Sequence, residues 1–396
     1  MSEPVPAALA WRSESAPGRD SYWQARSRRR PSDPLDGDTR ADLVVIGAGA
    51  SGLWTAWALL DADPALDLLV IDAGTIGSGA AGRGLGITSA WTAGDPAPHR
   101  TGTLDTALLR DAVVEVGGTA AAEQIECDFR YRGALRVARD ARGLARLHPD
   151  PAAEDRVLDA RALSRRVLVP GAVGGLSTPD CATLDPVRLL SGLADTLVSR
   201  GARLAEHTRA LRISPGAVLT DQGIIRTERV VQATGAHTVP GGSWAPDTIT
   251  ESAIATAPVP DELWERIGLR RGQLLHLVGP TPVRALRTDD HRLLLSGTVS
   301  TGRTLNRLLG RLAPDRRRSE IAELFGALSQ VPITHHWSWT RARTASHPVG
   351  VSTDGSAWVG GHGPEPFAAA NLSGRVLADL LTGADTALTR AAGGRW

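Results

Sequence analysis

Three observations predict an α/β chain of two interleaved lobes, one around a parallel sheet and one around an antiparallel sheet. The run Ala41-Asp42-Leu43-Val44-Val45-Ile46-Gly47-Ala48-Gly49-Ala50-Ser51-Gly52 feeds a short apolar strand into G-x-G-x-x-G and an apolar helical stretch, Leu53 to Leu60. A second apolar strand, Leu66 to Ile71, ends on Asp72, twenty positions after the last glycine. Far downstream, residues 250 to 345 contain short alternating stretches such as Gln273 to Leu277 and Arg292 to Leu295, which suit an antiparallel sheet. The first two observations together form the fingerprint of a Rossmann-like dinucleotide-binding domain.

Each part of the fingerprint has a physical task. Gly47 allows the tight turn, Gly49 lets a pyrophosphate approach the backbone, and Gly52 lets helix and strand pack closely. Ala50 and Ser51 open the helix, whose free N–H groups and positive dipole end favour phosphate. Asp72, with Ala73 beside it, can accept hydrogen bonds from ribose hydroxyls. The competing reading is a glycine-rich turn without a ligand. Strand, glycines, helix, strand and acid in register favour the dinucleotide.

The rest of the chain supplies the other elements. Residues 1 to 40 read as an irregular arm, with Tyr22 and Trp23 able to dock on the body. A second glycine-rich stretch, Gly77 to Gly86, suits close backbone approach to a flat or phosphorylated group, or else a flexible loop. Residues 103 to 126 read as helix. Asp185-Pro186 starts another helix, over Val187 to Arg200, with Leu189, Leu190, Leu193, Leu197 and Val198 on one face. Gly201 ends it, and Arg203 to Glu206 starts a strand. Val218 to Thr220 and Ile224 to Arg226 form a hairpin. Arg229 to Ala236 is an apolar strand entering a small-residue turn. Residues 303 to 329 are predominantly helical, and the turn Gly360 to Gly363 precedes a helix over Ala368 to Leu381. The expected division is an arm (1–40), a cofactor domain (41–110, 180–250, 335–396) and a substrate domain (111–179, 251–334).

Bulk composition narrows the function. At 396 residues with net charge +1, the chain has no field to gather nucleic acid or anionic lipid, and Arg28 to Arg30 reads as a solvated connector. No stretch approaches the length of a membrane span, and the N-terminus lacks a signal-peptide layout. Cys127 and Cys181 show no metal or redox spacing, which fits a reducing, cytoplasmic setting. Asn371-Leu372-Ser373 matches a glycosylation acceptor by chance. All 44 basic residues of the Lys+Arg total are arginine, so Schiff-base chemistry through lysine is excluded. No HExxH is present, and His335 and His336, as strand neighbours, point apart, so no metal site is expected. A serine-hydrolase elbow is also absent.

Beyond the fingerprint, Ser21-Tyr22-Trp23, Leu35 to Asp38, Ile76 to Arg83, Cys127 to Arg130, Gly133 to Leu135, Leu184 to Leu189, Val231 to Ala236 and Arg271 to Gln273 follow in order. In these pieces the chain resembles the FAD-dependent D-amino-acid oxidase superfamily, the glycine/sarcosine oxidase-like amine oxidoreductases. Its arm resembles that of gamma-glutamylputrescine-oxidase-like members. The resemblance implies a glutathione-reductase-type FAD domain interleaved with a substrate domain, and FAD rather than NAD. It implies that Gly47, Gly49, Ala50, Ser51 and Gly52 face the pyrophosphate and Asp72 and Ala73 the adenosine ribose. Ser78, Ala80 and Arg83 would lie along the pyrophosphate and flavin edge. Ala210 and Gly235 join the cofactor set, and Gly361, His362 and Gly363 approach the isoalloxazine. Members with covalent FAD use a histidine near the first glycine loop or a late cysteine. Neither occurs here, so non-covalent FAD is expected.

The expected reaction is oxidation of a C–N bond in a small amine or amino acid, giving an imine, with oxygen or another acceptor taking the electrons. Trp337, Trp339, Arg341 and Arg343 share one face of an alternating strand. They form either an aromatic wall with a carboxylate clamp, Arg341 foremost, or ordinary packing with arginines paired to acids. His362 lies near the flavin or caps a helix, whereas His276 and His291 read as structural. Two departures from the family stand out. The segment Thr353 to Gly363 is compressed, and the lysine that assists oxygen in sarcosine-oxidase-like members is missing. An NAD(P)H-dependent flavin monooxygenase and a non-catalytic FAD-binding subunit are the alternatives.

Overall fold

The structure, a computed structural model, describes residues 20–91, 106–150, 152–301, 316–343, 348–352 and 355–391. A six-stranded sheet forms the first lobe, in the order Arg203–Ala205, Leu68–Ile71, Leu43–Ile46, Arg229–Gln232, Ser356–Val359, Val349–Val351. Its first five strands are parallel and the last is antiparallel. Both fingerprint strands are buried at every position, so they read as unbroken apolar runs rather than alternating ones.

Helices cover one face of this sheet. Ala50–Ala62, Pro186–Ser199 and Pro366–Thr382 bury Leu53, Trp54, Leu189, Leu193, Phe367 and Leu377 against Leu43, Val45 and Val231. Asp185 caps the second helix, accepting from the N–H groups of Val187 and Arg188 at 3.0 Å each, with Pro186 in the first turn. Val198 departs from the expected apolar face and is exposed. The other face meets a four-stranded sheet: Thr39–Arg40, Ile224–Arg226, Ala217–Thr220, Ala210–Ser214. The expected hairpin is thus one part of a larger layer.

The second lobe is an eight-stranded sheet. Its order is Ile333–Ala342, Thr248–Thr256, Leu293–Thr301, Val283–Arg287, Leu274–Val278, Ala134–Ala138, Gly174–Thr178, Arg156–Asp159. All neighbours are antiparallel except Leu274–Val278 with Ala134–Ala138. Leu135, Leu275, Ala285 and Leu295 pack outward under Trp264, Leu324 and Phe325. Ala134, Leu274, Leu286, Leu294, Trp337 and Trp339 face the first lobe.

Three expected boundaries shift. The 335 boundary falls inside the Ile333–Ala342 strand, which pairs along Thr248–Thr256 and so stays with the antiparallel sheet. For the same reason that sheet starts at Thr248 rather than 251. The helix Thr106–Ala122 crosses the expected break at 110, because it packs on the C-terminal helix through Leu109, Ala112, Leu372 and Val376. Of the expected helix over 303–329, residues 316–324 are helical, while 302–315 lie outside the described residues, as do 353 and 354 of the compressed segment.

The arm is less irregular than expected. It contains a 3-10 turn, Gln24–Arg26, and the strand Thr39–Arg40. Tyr22 and Trp23 are buried as expected. Trp23 Nε1 donates to the carbonyl of Gly84 at 2.9 Å, and Gln24 Nε2 to that of Gly77 at 3.1 Å. Tyr22 donates its hydroxyl to Asp290 at 2.7 Å, across in the second lobe. One short segment therefore grips the glycine loop and the antiparallel sheet together.

Candidate active site

The fingerprint turn divides its glycines between two tasks. A Cβ on Gly47 (φ +109°) would meet the Ala233 carbonyl oxygen at 2.5 Å, and one on Gly52 would lie 1.9 Å from the Gly47 carbonyl oxygen. Those two glycines hold strands and helix together. A Cβ on Gly49 meets nothing within 4 Å, and the same holds at Gly79 and at Gly235, where φ is +58°. Open space above Gly49, the residue that caps the N-terminus of Ala50–Ala62, fits a bound dinucleotide. Ala50 is buried in the first turn and Ser51 half-buried beside it.

Asp72 is already engaged. Its carboxylate accepts from the N–H of Ala48 and from the N–H of Gly74, both at 2.8 Å. Burial raises its pKa against the pull of those two bonds. The acid thus fixes the glycine turn to the end of the second strand, and a ribose must use its remaining lone pairs. Ala73 follows it, half-buried, and Thr208 N–H donates to the Asp72 carbonyl at 2.7 Å, two residues before Ala210. Glu206, which no sequence signal flagged, is fully buried here. It accepts from the N–H of Ile76 at 2.6 Å and pairs with Arg29 of the arm.

The second glycine loop is braced rather than loose. Ser78 Oγ donates to the Thr75 carbonyl at 2.6 Å. Arg83, 3% exposed, donates from Nε to the Ser78 carbonyl at 2.9 Å and from Nη1 to the Ser338 carbonyl at 3.3 Å. Trp337 Nε1 returns a bond to the Arg83 carbonyl at 2.7 Å. Ala80 packs on the same cluster as Trp337 and Trp339. The loop that carries Ser78, Ala80 and Arg83 is therefore held directly against the strand of Trp339 and Arg341.

On that strand Trp337, Trp339 and Arg341 are brought together, whereas Arg343 lies just past its end. Both tryptophans are buried. The Arg341 guanidinium pairs with Glu251 on the next strand, Nε and Nη2 lying 3.1 and 3.0 Å from one carboxylate oxygen. The arginine's partner is an internal acid, as the packing alternative anticipated. Glu251 sits 3.9 Å from Arg284, and Arg284 Nε donates to Glu365 at 3.0 Å. The Ser89 hydroxyl reaches the other oxygen of Glu365 at 2.6 Å. Glu251, Arg284 and Glu365 are buried and were missed from sequence. The available signal was a charged residue at an inward position of an alternating apolar strand, as in Val283-Arg284-Ala285.

The last turn completes the enclosure. Gly361 and Gly363 adopt φ of +77° and +80°, and Glu365 and Pro366 lead into the C-terminal helix. Both ring nitrogens of His362 are buried without a hydrogen-bond partner, and burial pushes its pKa down to about 4. A neutral imidazole with unmet donor and acceptor at a glycine turn fits a resident group there. His291 is bonded to Asp261, at 3.0 Å. Cys127 and Cys181 are buried and unbridged, and Asn371 is buried inside its helix.

A family model described as FAD dependent oxidoreductase (DAO) matches residues 42–380, and the chain belongs to that family. It is 26% identical over 391 residues to gamma-glutamylputrescine oxidoreductase of Escherichia coli (strain K12), covering 92% of this chain and 89% of the relative. D-amino acid dehydrogenase of Methylobacterium sp. (strain 4-46) is 26% identical over 312 residues, 69% of this chain and 68% of that one. Among solved structures, glycine oxidase from Geobacillus kaustophilus has a TM-score of 0.72 at 19% identity, over 88% of this chain and 96% of that chain. That likeness shows the fold. The protein is an FAD-dependent oxidoreductase.

Proposed function

We propose that this enzyme oxidises the C–N bond of a primary or secondary amine or amino acid, giving an imine that water hydrolyses to a carbonyl compound. The two curated relatives named above support an amine or amino-acid substrate. The observation that carries the reading is the Trp337 to Arg341 strand face, bonded through Arg83 and Trp337 to the glycine loop. Bound FAD supplies the two-electron acceptor for a hydride leaving the carbon next to nitrogen. Gly49, Asp72, Gly235 and Gly361 to Gly363 would hold it without a covalent link, on a turn that Gly47 and Gly52 lock in place.

This chain's residues then act by orientation and by excluding water. Trp339 presents an aromatic wall with its neighbour Trp337. Arg341, its Nε and Nη2 on Glu251 and its Nη1 on the Ala342 carbonyl, is fixed in place at the end of that wall. His362, neutral at pH 7, keeps one N–H and one bare nitrogen for hydrogen bonding in the turn. Oxygen or another acceptor completes turnover without help from lysine. Among the described residues no helix is long and apolar enough to cross a membrane. The buried, unbridged cysteines support a cytoplasmic location.

Anaerobic mixing with a panel of primary and secondary amines tests the proposal. Bleaching of the flavin absorbance by members of the panel is the expected result. Bleaching by NAD(P)H with no response to any amine would overturn it in favour of a monooxygenase.

A further inference from the structure

The arm follows the second glycine loop along its length. Ser21 Oγ donates to the Gly82 carbonyl at 3.3 Å, Trp23 Nε1 to that of Gly84 at 2.9 Å and Gln24 Nε2 to that of Gly77 at 3.1 Å. Further on, the Leu35 N–H donates to Thr208 Oγ1 at 2.9 Å, and the Thr208 N–H reaches the Asp72 carbonyl at 2.7 Å. Residues 21 to 24 thus brace the loop from Gly77 to Gly84, and residues 29 to 35 brace the stretch next to Asp72.

Between these two holds lies a buried charge. Glu206, 0% exposed, follows the strand Arg203–Ala205. One of its carboxylate oxygens accepts from the Ile76 N–H at 2.6 Å. The other accepts from the Ser32 N–H and from the Arg29 guanidinium. The next residue, His207, donates its N–H to the Gly74 carbonyl at 3.0 Å. One carboxylate therefore joins the end of a strand, the start of the glycine loop and the arm. A carboxylate buried to this degree destabilises whatever it joins once its cation, here Arg29, is removed.

The stretch that Glu206 holds leads straight to the cofactor residues. Asp72 bonds both the Ala48 N–H of the fingerprint turn and the Gly74 N–H, so a shift of residues 74 to 77 disturbs the turn as well. The Glu206 charge adds to the burial that raises the Asp72 pKa. Gly77, Gly79, Gly82, Gly84 and Gly86 give the loop great backbone freedom when it is not held. Ordering such a loop before the ligand arrives tightens binding, because less freedom is then lost on association.

We propose that Glu206 is a positioning residue for FAD, latching the arm through Arg29 and Ser32 so that the docked arm holds the Asp72 to Gly84 loop in shape and slows FAD release. The latch stands on the cofactor and not on amine oxidation, so either can fail without the other. FAD release on dilution is followed as a rise of flavin fluorescence in the native holoenzyme, Arg29→Met and Glu206→Gln, with apoprotein melting measured beside it. Release should be about 10-fold faster in each variant, and in the double variant no faster than in Arg29→Met.

By linkage, FAD favours arm docking as much as docking favours FAD. Trypsin cleavage after Arg26 or Arg28, which tracks the undocked arm, should be about 10-fold slower in native holoenzyme than in native apoprotein. Both variants should lose most of that difference. Unchanged FAD release with lowered melting confines the pair to a structural role and overturns the proposal. Cleavage indifferent to FAD in the native chain also overturns it, and decides alone if neither variant folds. FAD that stays on the denatured chain would overturn it too, since a covalent bond then retains the cofactor.

Discussion

The glycine turn and the antiparallel sheet face solve the binding problem with opposite materials. The turn works with backbone: N–H groups at a helix start, two glycines that lock strand to helix, and others that leave space. The sheet face offers side chains, with Trp337, Trp339 and Arg341 of the proposed substrate wall on its edge strand. A backbone site tolerates few residue types and binds a constant ligand. A side-chain site can be rewritten one residue at a time, which suits a substrate that varies between relatives.

If the contrast is right, the turn is the more fragile region. Gly52→Ala places a methyl group 1.9 Å from the Gly47 carbonyl oxygen, which no rotamer can relieve. A loss of about 5 kcal/mol is expected, measured by chemical denaturation of the apoprotein, with loss of FAD uptake. An intermediate effect is expected at the domain boundary. Arg284→Met strands the buried Glu365 carboxylate and should cost about 4 kcal/mol, most of it recovered in the double variant with Glu365→Gln. Equal losses in the single and double variants would show that the pair is not coupled.

A smaller and pH-dependent effect belongs to the last turn. His362 in the folded chain titrates near 4 against an ordinary value of 6.5, so the unfolded chain takes up the proton first. Its contribution is complete above about pH 6.5 and is lost as pH falls toward 4, by up to about 3 kcal/mol in the apoprotein. His362→Asn should flatten the stability profile across that window. The smallest effect is at the arm: Tyr22→Phe removes the bond to Asp290 and should cost about 1 kcal/mol, seen as a melting shift.

The same contrast explains what was legible in the sequence. Gly47, Gly49, Gly52 and Asp72 act within one βαβ unit, so spacing alone places them, and the helix from Asp185-Pro186 announces itself by its cap. The order of the eight strands does not show in any local pattern, because Ala134–Ala138 pairs with Leu274–Val278 across more than a hundred residues of chain. Hence Glu251, Arg284 and Glu365 are invisible as a group in the sequence, which leaves Arg341 open between a clamp and a pair with an acid it does not identify. The arm's order is hidden from the sequence for a similar reason, since its bonds to Gly77, Gly84, Glu206 and Asp290 all depend on tertiary position.

The central claim is that the open backbone at Gly49 is where FAD lies. Titrating apoprotein with FAD, while following flavin fluorescence, tests it most directly in the native chain and in Gly49→Val. The account predicts saturable quenching at one FAD per chain for the native protein, and at least about 100-fold weaker binding for Gly49→Val with apoprotein stability nearly unchanged. Equal FAD affinity in the two proteins, or no uptake by the native chain, would contradict it.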